Sequence, residues 1–168
     1  MVQIEICRSN GQWSRFTAFY TANRTRIIPN YRVDLAVRDV KNYMKQGRGA
    51  ILVNEAGEVI GNGCFTLGQQ EDGFGDPSIA VLGNSYFEEE YRQTKTFVRG
   101  LQVLAEQIAD ANPDVREVRI PAQAENDYTN RLYRKLAEKH HSYESDYGTC
   151  HVYSTPFREF AAFCDRFR

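Results

Sequence analysis

No apolar run in this chain approaches the roughly 20 residues that a membrane-spanning helix needs, so no spanning helix is expected. The opening residues, Met1 to Ile6, alternate polar and apolar side chains and lack the apolar stretch of a signal peptide, so no leader is expected either. The four cysteines, Cys7, Cys64, Cys150 and Cys164, stand far apart and form no C-x-x-C pair. That argues against structural zinc and against a disulfide framework, and it points to reduced, mostly buried thiols in a cytoplasmic protein. A basic surplus is also missing. With a net charge of -1 the chain is not expected to bind nucleic acid generally, and Arg24, Arg26, Arg32 and Arg38 are assigned to solvated helix faces and a loop. His140 and His141 are adjacent but have no third ligand at a useful spacing, so no metal site is expected. No Ser-His-Asp or Cys-His spacing stands out, and Cys150 and His151 would face opposite sides of a strand, so no activated nucleophile is evident. Repeats, low-complexity tracts and long linkers are absent, which leaves residues 1–168 as one domain.

What remains is an ordinary globular composition, 42% apolar and 26% charged, over a length that buries a real core. Residues 2–8 alternate as a strand. Ser9 or Asn10 then caps a helix to about Asn23. Asp34 is placed as the N-cap of a second helix with the apolar stripe Val33, Val37, Val40 and Met44, ending at Gly47. Two β-rich runs, Ala50 to Asn54 and Val59 to Phe65, flank Glu55-Ala56-Gly57-Glu58 as a hairpin. Residues 68–77 read as a surface loop, and 78–87 as a strand with a bulge at Gly83-Asn84. Phe97, Leu101, Leu104 and Ile108 define a helix from about Gln93 to Ala111, stopped by Asn112-Pro113. A strand at 115–120, a helix at 126–138 continuing toward His141, a hairpin at 142–153 and a short terminal helix at about 156–167 follow. This order is α+β: helices on a mixed, mainly antiparallel sheet of six to seven strands.

The strand at 115–120, the loop Glu125-Asn126 and a helix carrying Leu132-Tyr133-Arg134-Lys135-Leu136 together resemble the second half of a GNAT-type N-acetyltransferase. Upstream, Tyr86-Phe87 to Arg92 is similar to the strand end and arginine that open that family's pyrophosphate loop. The element order extends the resemblance from the first strand to about Tyr153. It implies an enzyme that moves an acetyl group from acetyl-CoA directly to an amine, on either a small molecule or a peptide. By the same resemblance Phe87, Arg92, Gln93, Thr94, Lys95 and Thr96 lie at the cofactor, Asn126 positions the pantetheine arm, and Tyr133 protonates the departing thiolate. A thiol near ~8.5 and a phenol near ~10 are matched for that transfer. Glu88 is the candidate general base, with Asp76 and Glu71-Asp72 as further carboxylates. An amide between Asn84 and Phe87 would stabilise the developing oxyanion.

One departure from the family pattern is chemical. Lys95 and Phe97 stand where the loop usually has small residues that let successive N–H groups approach the pyrophosphate. The helix N-terminus that follows still favours an anion, and Arg92 and Lys95 add charge. The alternative readings are structural. The turn 92–96 is solvated, Asn126 is an N-cap, Tyr133 is a core aromatic, and the whole is an inactive GNAT-fold binding or regulatory module. Which way Phe97 points separates the two functions: into the sheet, or into the pyrophosphate position. Phe157, Phe160, Phe163 and Phe167 offer either a homodimer surface or a cover for the sheet.

Overall fold

The computed structural model describes residues 1–92 and 95–166. Strand β1 (Gln3–Ile6) leads into α1 (Asn10–Ala22), which starts because Ser9 and Gln12 form a reciprocal capping box. A one-turn helix α2 (Arg24–Ile27) and helix α3 (Val33–Gln46) follow. Next come β2 (Gly47–Val53), β3 (Val59–Leu67), β4 (Ile79–Leu82), α4 (Lys95–Ala111), β5 (Glu117–Gln123) and α5 (Asp127–Arg134). The chain closes with β6 (Glu138–Ser145), β7 (Gly148–Pro156) and α6 (Phe157–Asp165). The seven strands form one sheet in the order β1-β2-β3-β4-β5-β7-β6, antiparallel except for β4 beside β5. The expected α+β class and strand number hold.

Alternation on the strands divides the core in two. On β2 and β3, Ile51, Val53 and Cys64 face Phe16, Tyr20, Val40 and Tyr43 of α1 and α3. Phe65 points the other way, into the cluster under α4 and α6 with Ile108, Val118, Ile120 and Phe160. All four cysteines are buried and free, as expected. The terminal helix covers the sheet: Phe160 is fully buried, Phe157 packs against the same cluster, and Phe167 lies outside the described residues.

Three expectations need correction. Asp34 does not cap α3; Arg32 holds the cap position, and the Asp34 carboxylate pairs with the Arg32 guanidinium at 2.7 Å. The buried face of α3 is Ala36, Val40 and Tyr43, while Val33 and Met44 are 51% and 46% exposed. A tyrosine whose hydroxyl finds partners buries more area than a valine or methionine, and Ala36 lets the helix approach the sheet. Finally, the helix after Asn126 stops at Arg134, and His140 and His141 lie on the edge strand β6. That strand is polar along its length and is held by its ladder to β7, a non-local pairing that no periodicity records. Among the described residues no helix is long and apolar enough to cross a membrane.

The corrected face of α3 is testable. Val40→Ala should cost about 2 kcal/mol in chemical denaturation, and Met44→Ala no more than about 0.5 kcal/mol. Equal costs would restore the Val33–Met44 stripe.

Candidate active site

The site begins where a ladder ends. β4 pairs with β5 over only three residues, Ile79 to Val81 against Glu117 to Arg119, and then diverges while β5 runs on to Gln123. A strand that leaves its neighbour must satisfy its polar backbone elsewhere. Fully buried Asn62 does most of this: its Nδ2 donates to the Asn84 carbonyl at 3.1 Å, and its Oδ1 accepts the Tyr86 N–H at 2.9 Å. Gly83 donates to the Cys64 carbonyl at 2.8 Å. A side chain at Gly83 would run into the Cys64 sulfur and the Tyr43 ring, 2.5 and 2.6 Å from an added Cβ, so only glycine lets the chain turn there.

Behind this turn lies a chain of phenols. The Asn84 N–H donates to the Tyr43 hydroxyl at 3.2 Å, and its Nδ2 donates to the Tyr20 hydroxyl at 3.1 Å. Tyr20 is 3.0 Å from the Tyr31 hydroxyl and 3.4 Å from that of Tyr43, and Tyr31 donates to Asp39. Each phenol has one proton, so the carboxylate orders the set: Tyr43 donates to Tyr20, Tyr20 to Tyr31, and Tyr31 to Asp39. Burial, then Tyr20 and Asp39, hold the Tyr31 phenol far above its usual range, which keeps it a donor.

Two clefts meet at the divergence and share Gly83, Asn84, Pro121, Gln123 and Cys150. The first, of about 340 Å³, lies between the end of β4 and α5. Of the residues predicted for the cofactor, Phe87, Arg92 and Asn126 line it together with Tyr133. Phe87 bridges Gly61 through the flanking bonds Asn62 N–H to Tyr86 O and Glu88 N–H to Ile60 O, so its own N–H points away from β3, toward the gap. Its carbonyl accepts Arg92 Nε at 2.8 Å, and the Arg92 guanidinium lies 5.0 Å from the Tyr86 ring centre. Arg26, which the sequence left on a solvated face, also lines this cleft and donates to the Tyr86 hydroxyl at 3.2 Å. Among the described residues the lining therefore carries two arginines and no carboxylate.

Phe97 is half-buried: one side packs on the sheet, and the residue also lines the first cleft. It packs with Leu52 and Ile60, edge-on to Phe87 at 5.4 Å. Lys95 and Thr96 line a different groove, beside Met1, Val2 and Glu55. Gln93 and Thr94 lie outside the described residues. Glu88 is exposed and lines neither cleft, so the structure does not bring it to the divergence. Asn126 is the N-cap of α5, its side chain accepting the Thr129 N–H at 3.0 Å.

Tyr133 projects from α5 against Tyr153, with ring centres 6.2 Å apart. Its hydroxyl has no hydrogen-bond partner among the described residues, and burial, with a smaller effect of Tyr128, pushes its pKa up to about 12. The residue that aims this helix is one the sequence did not reveal. Buried Asn130 donates to the carbonyls of Gln123 and Asn126, both at 2.8 Å, and accepts the Tyr153 hydroxyl at 2.7 Å. Cys150, at the floor shared by both clefts, has its thiol raised by burial, which makes it a poor nucleophile.

No protein-family profile and no curated protein sequence matches this chain. Solved structures do. A GNAT-family acetyltransferase from Staphylococcus aureus Mu50 superposes with a TM-score of 0.67 at 10% identity, over 92% of this chain and 99% of that one. The ribosomal-protein-S5-alanine acetyltransferase of Vibrio fischeri gives 0.65 at 10%, over 95% and 94%. A GCN5-related N-acetyltransferase from Kribbella flavida gives 0.65 at 13%, over 92% and 97%. The chain has the GNAT fold, as the residues around Arg92 and Tyr133 implied.

Two outcomes follow from this geometry. Asn62→Ala leaves the Tyr86 N–H and Asn84 carbonyl without their partner and should cost about 3 kcal/mol in thermal or chemical unfolding; a loss below about 1 kcal/mol would mean the divergence is held otherwise. Tyr133 keeps its proton to about pH 12 in the folded chain, whereas an unfolded tyrosine releases it near ~10. Its contribution to stability is therefore complete below about pH 10 and lost between about 10 and 12. Tyr133→Phe should flatten that part of the alkaline stability curve and remove one phenolate titrating near pH 12, and a wild-type Tyr133 titrating near 10 would contradict the desolvated placement.

Proposed function

We propose that this protein is an N-acetyltransferase that moves an acetyl group from acetyl-CoA directly to an amine. The observation that carries the reading is the divergence of β4 from β5, with a cleft on either side meeting at Asn84 and Cys150. A ternary complex needs such an arrangement: donor and acceptor enter from opposite sides and react where the strands part.

The donor-side cleft fits acetyl-CoA. Arg26 and Arg92, with no carboxylate beside them in the lining among the described residues, suit a polyanion. When bound, acetyl-CoA supplies a thioester carbonyl open to attack by a neutral amine. The Phe87 N–H, turned toward the gap, would donate to the oxygen as charge develops on it. Tyr133, desolvated and unpartnered among the described residues, would give its proton to the leaving thiolate. Its raised pKa keeps that proton in place at neutral pH. Direct transfer is favoured over a covalent enzyme intermediate because the thiol nearest the junction, Cys150, is held protonated. Phe97 packs on Leu52, Ile60 and Phe87 and forms part of the wall of a cleft that stays open, which supports this reading over an inactive binding module with that cleft filled.

Calorimetric titration with acetyl-CoA should give micromolar binding that weakens about tenfold or more in Arg92→Ala. Tyr133→Phe should retain that binding and lower kcat for an accepted amine by about 10²-fold. Absence of binding at millimolar acetyl-CoA would sink the proposal.

A further inference from the structure

The second cleft, about 750 Å³, is the larger, and its chemistry differs in sign from the first. Its charged lining is Asp39, Glu71 and Asp146 against Arg38 and Arg119. Both arginines are engaged: Arg38 with Asp39 at 3.0 Å, and Arg119 with Glu117 and with Gln69 at 2.9 Å. Glu71 and Asp146 have no ion pair among the described residues, and both are exposed at the rim. Of the sequence's acidic loop, only Glu71 faces inward. Asp72 is turned onto the Gly75 N–H at 3.0 Å, and Asp76 is held by Ser78 and by Arg116 at 3.2 Å.

The walls are aromatic. Tyr31, Phe74, Tyr143 and Tyr147 present rings to the cleft. Phe74 is held at φ 61°, a left-handed conformation that a bulky residue rarely adopts, with its N–H bonded to the Gln69 carbonyl at 2.8 Å. The far end is closed. Tyr147, in the turn between β6 and β7, packs edge-on to Tyr31 at 5.6 Å and accepts the Arg32 N–H at 3.2 Å. The β6–β7 hairpin therefore meets the loop before α3 at one end of the cleft.

We propose that the acceptor is an aliphatic diamine or polyamine: one amine reaches the divergence, and a second, protonated nitrogen is held at the rim by Glu71 and Asp146 among the aromatic rings. This identification of the acceptor rests on the acyl-transfer reading for the reaction itself, but the cation cleft stands on its own geometry. The reacting nitrogen must be neutral, so carboxylates are useful for the nitrogen that does not react. Ring faces add attraction for an ammonium without demanding that it lose its proton. The acidic field reaches the junction: burial raises the Tyr143 phenol, its contact with Cys150 adds to this, and the charges of Glu71 and Asp39 raise it further.

Direct calorimetry separates this proposal from acyl transfer. Spermidine and butylamine are titrated into the wild-type chain and into Glu71→Gln/Asp146→Asn, two exposed positions whose change leaves the core intact. Spermidine should bind the wild type at least about tenfold more tightly than butylamine, and the double variant should lose that preference. Acetyl-CoA affinity should be unchanged in the variant, because neither residue lines the donor cleft. Equal binding of the two amines, or a preference that survives the double variant, overturns the proposal. Spermidine binding without acetyl-CoA binding would support the cation cleft and remove the transferase reading instead.

Discussion

The parting of β4 from β5 is the constraint on which this molecule depends. A parallel pair that ends after three residues leaves backbone donors and acceptors inside the protein. Asn62 and Cys64 from β3 and Tyr43 from α3 take them up. Because Tyr43 belongs to a phenol chain ordered by Asp39, the gap and the α1–α3 face are one hydrogen-bonded unit. Such a network is fully satisfied or it is a liability, and here each of the Tyr20, Tyr31 and Tyr43 hydroxyls and the Asn62 and Asn84 amides has a partner.

From that parting comes a division of charge. Among the described residues, the charged lining of the cleft on the α5 side is Arg26 and Arg92, and the cleft on the α3 side has a surplus of carboxylates. An anionic donor and a cationic acceptor would be sorted to opposite sides before any specific contact forms, since each cleft repels the wrong partner. Where the clefts meet, the shared residues Gly83, Asn84, Pro121, Gln123 and Cys150 are uncharged.

The start of α4 shows how the fold tolerates an altered motif. Phe97, at a position the family pattern gives to a small residue, packs on Leu52, Ile60 and Phe87 and remains part of the cleft wall. Arg92 holds the carbonyl of Phe87 and lies over Tyr86, so it braces the end of β4 while lining the cleft. Lys95 takes no part in that cleft.

Local pattern made much of this protein legible. The capping box at Ser9, the hairpin around Gly57, the helix of Leu101 and Ile108, and the Asn126 cap before Tyr133 each depend on residues a few positions apart, and the sequence by itself determined them, together with the class of the fold. The tertiary structure decided what depends on distant neighbours. It chose Tyr43 over Met44 for the buried face of α3, made a strand of His140 and His141, and left Glu88 outside the clefts. It also brought Asn62, Asn130 and Arg26 to the site. A buried asparagine looks like any other in a sequence, because its value comes from unpaired backbone groups 20 or more residues away, such as those of Asn84 and Tyr86. Those groups exist only once the strands have parted.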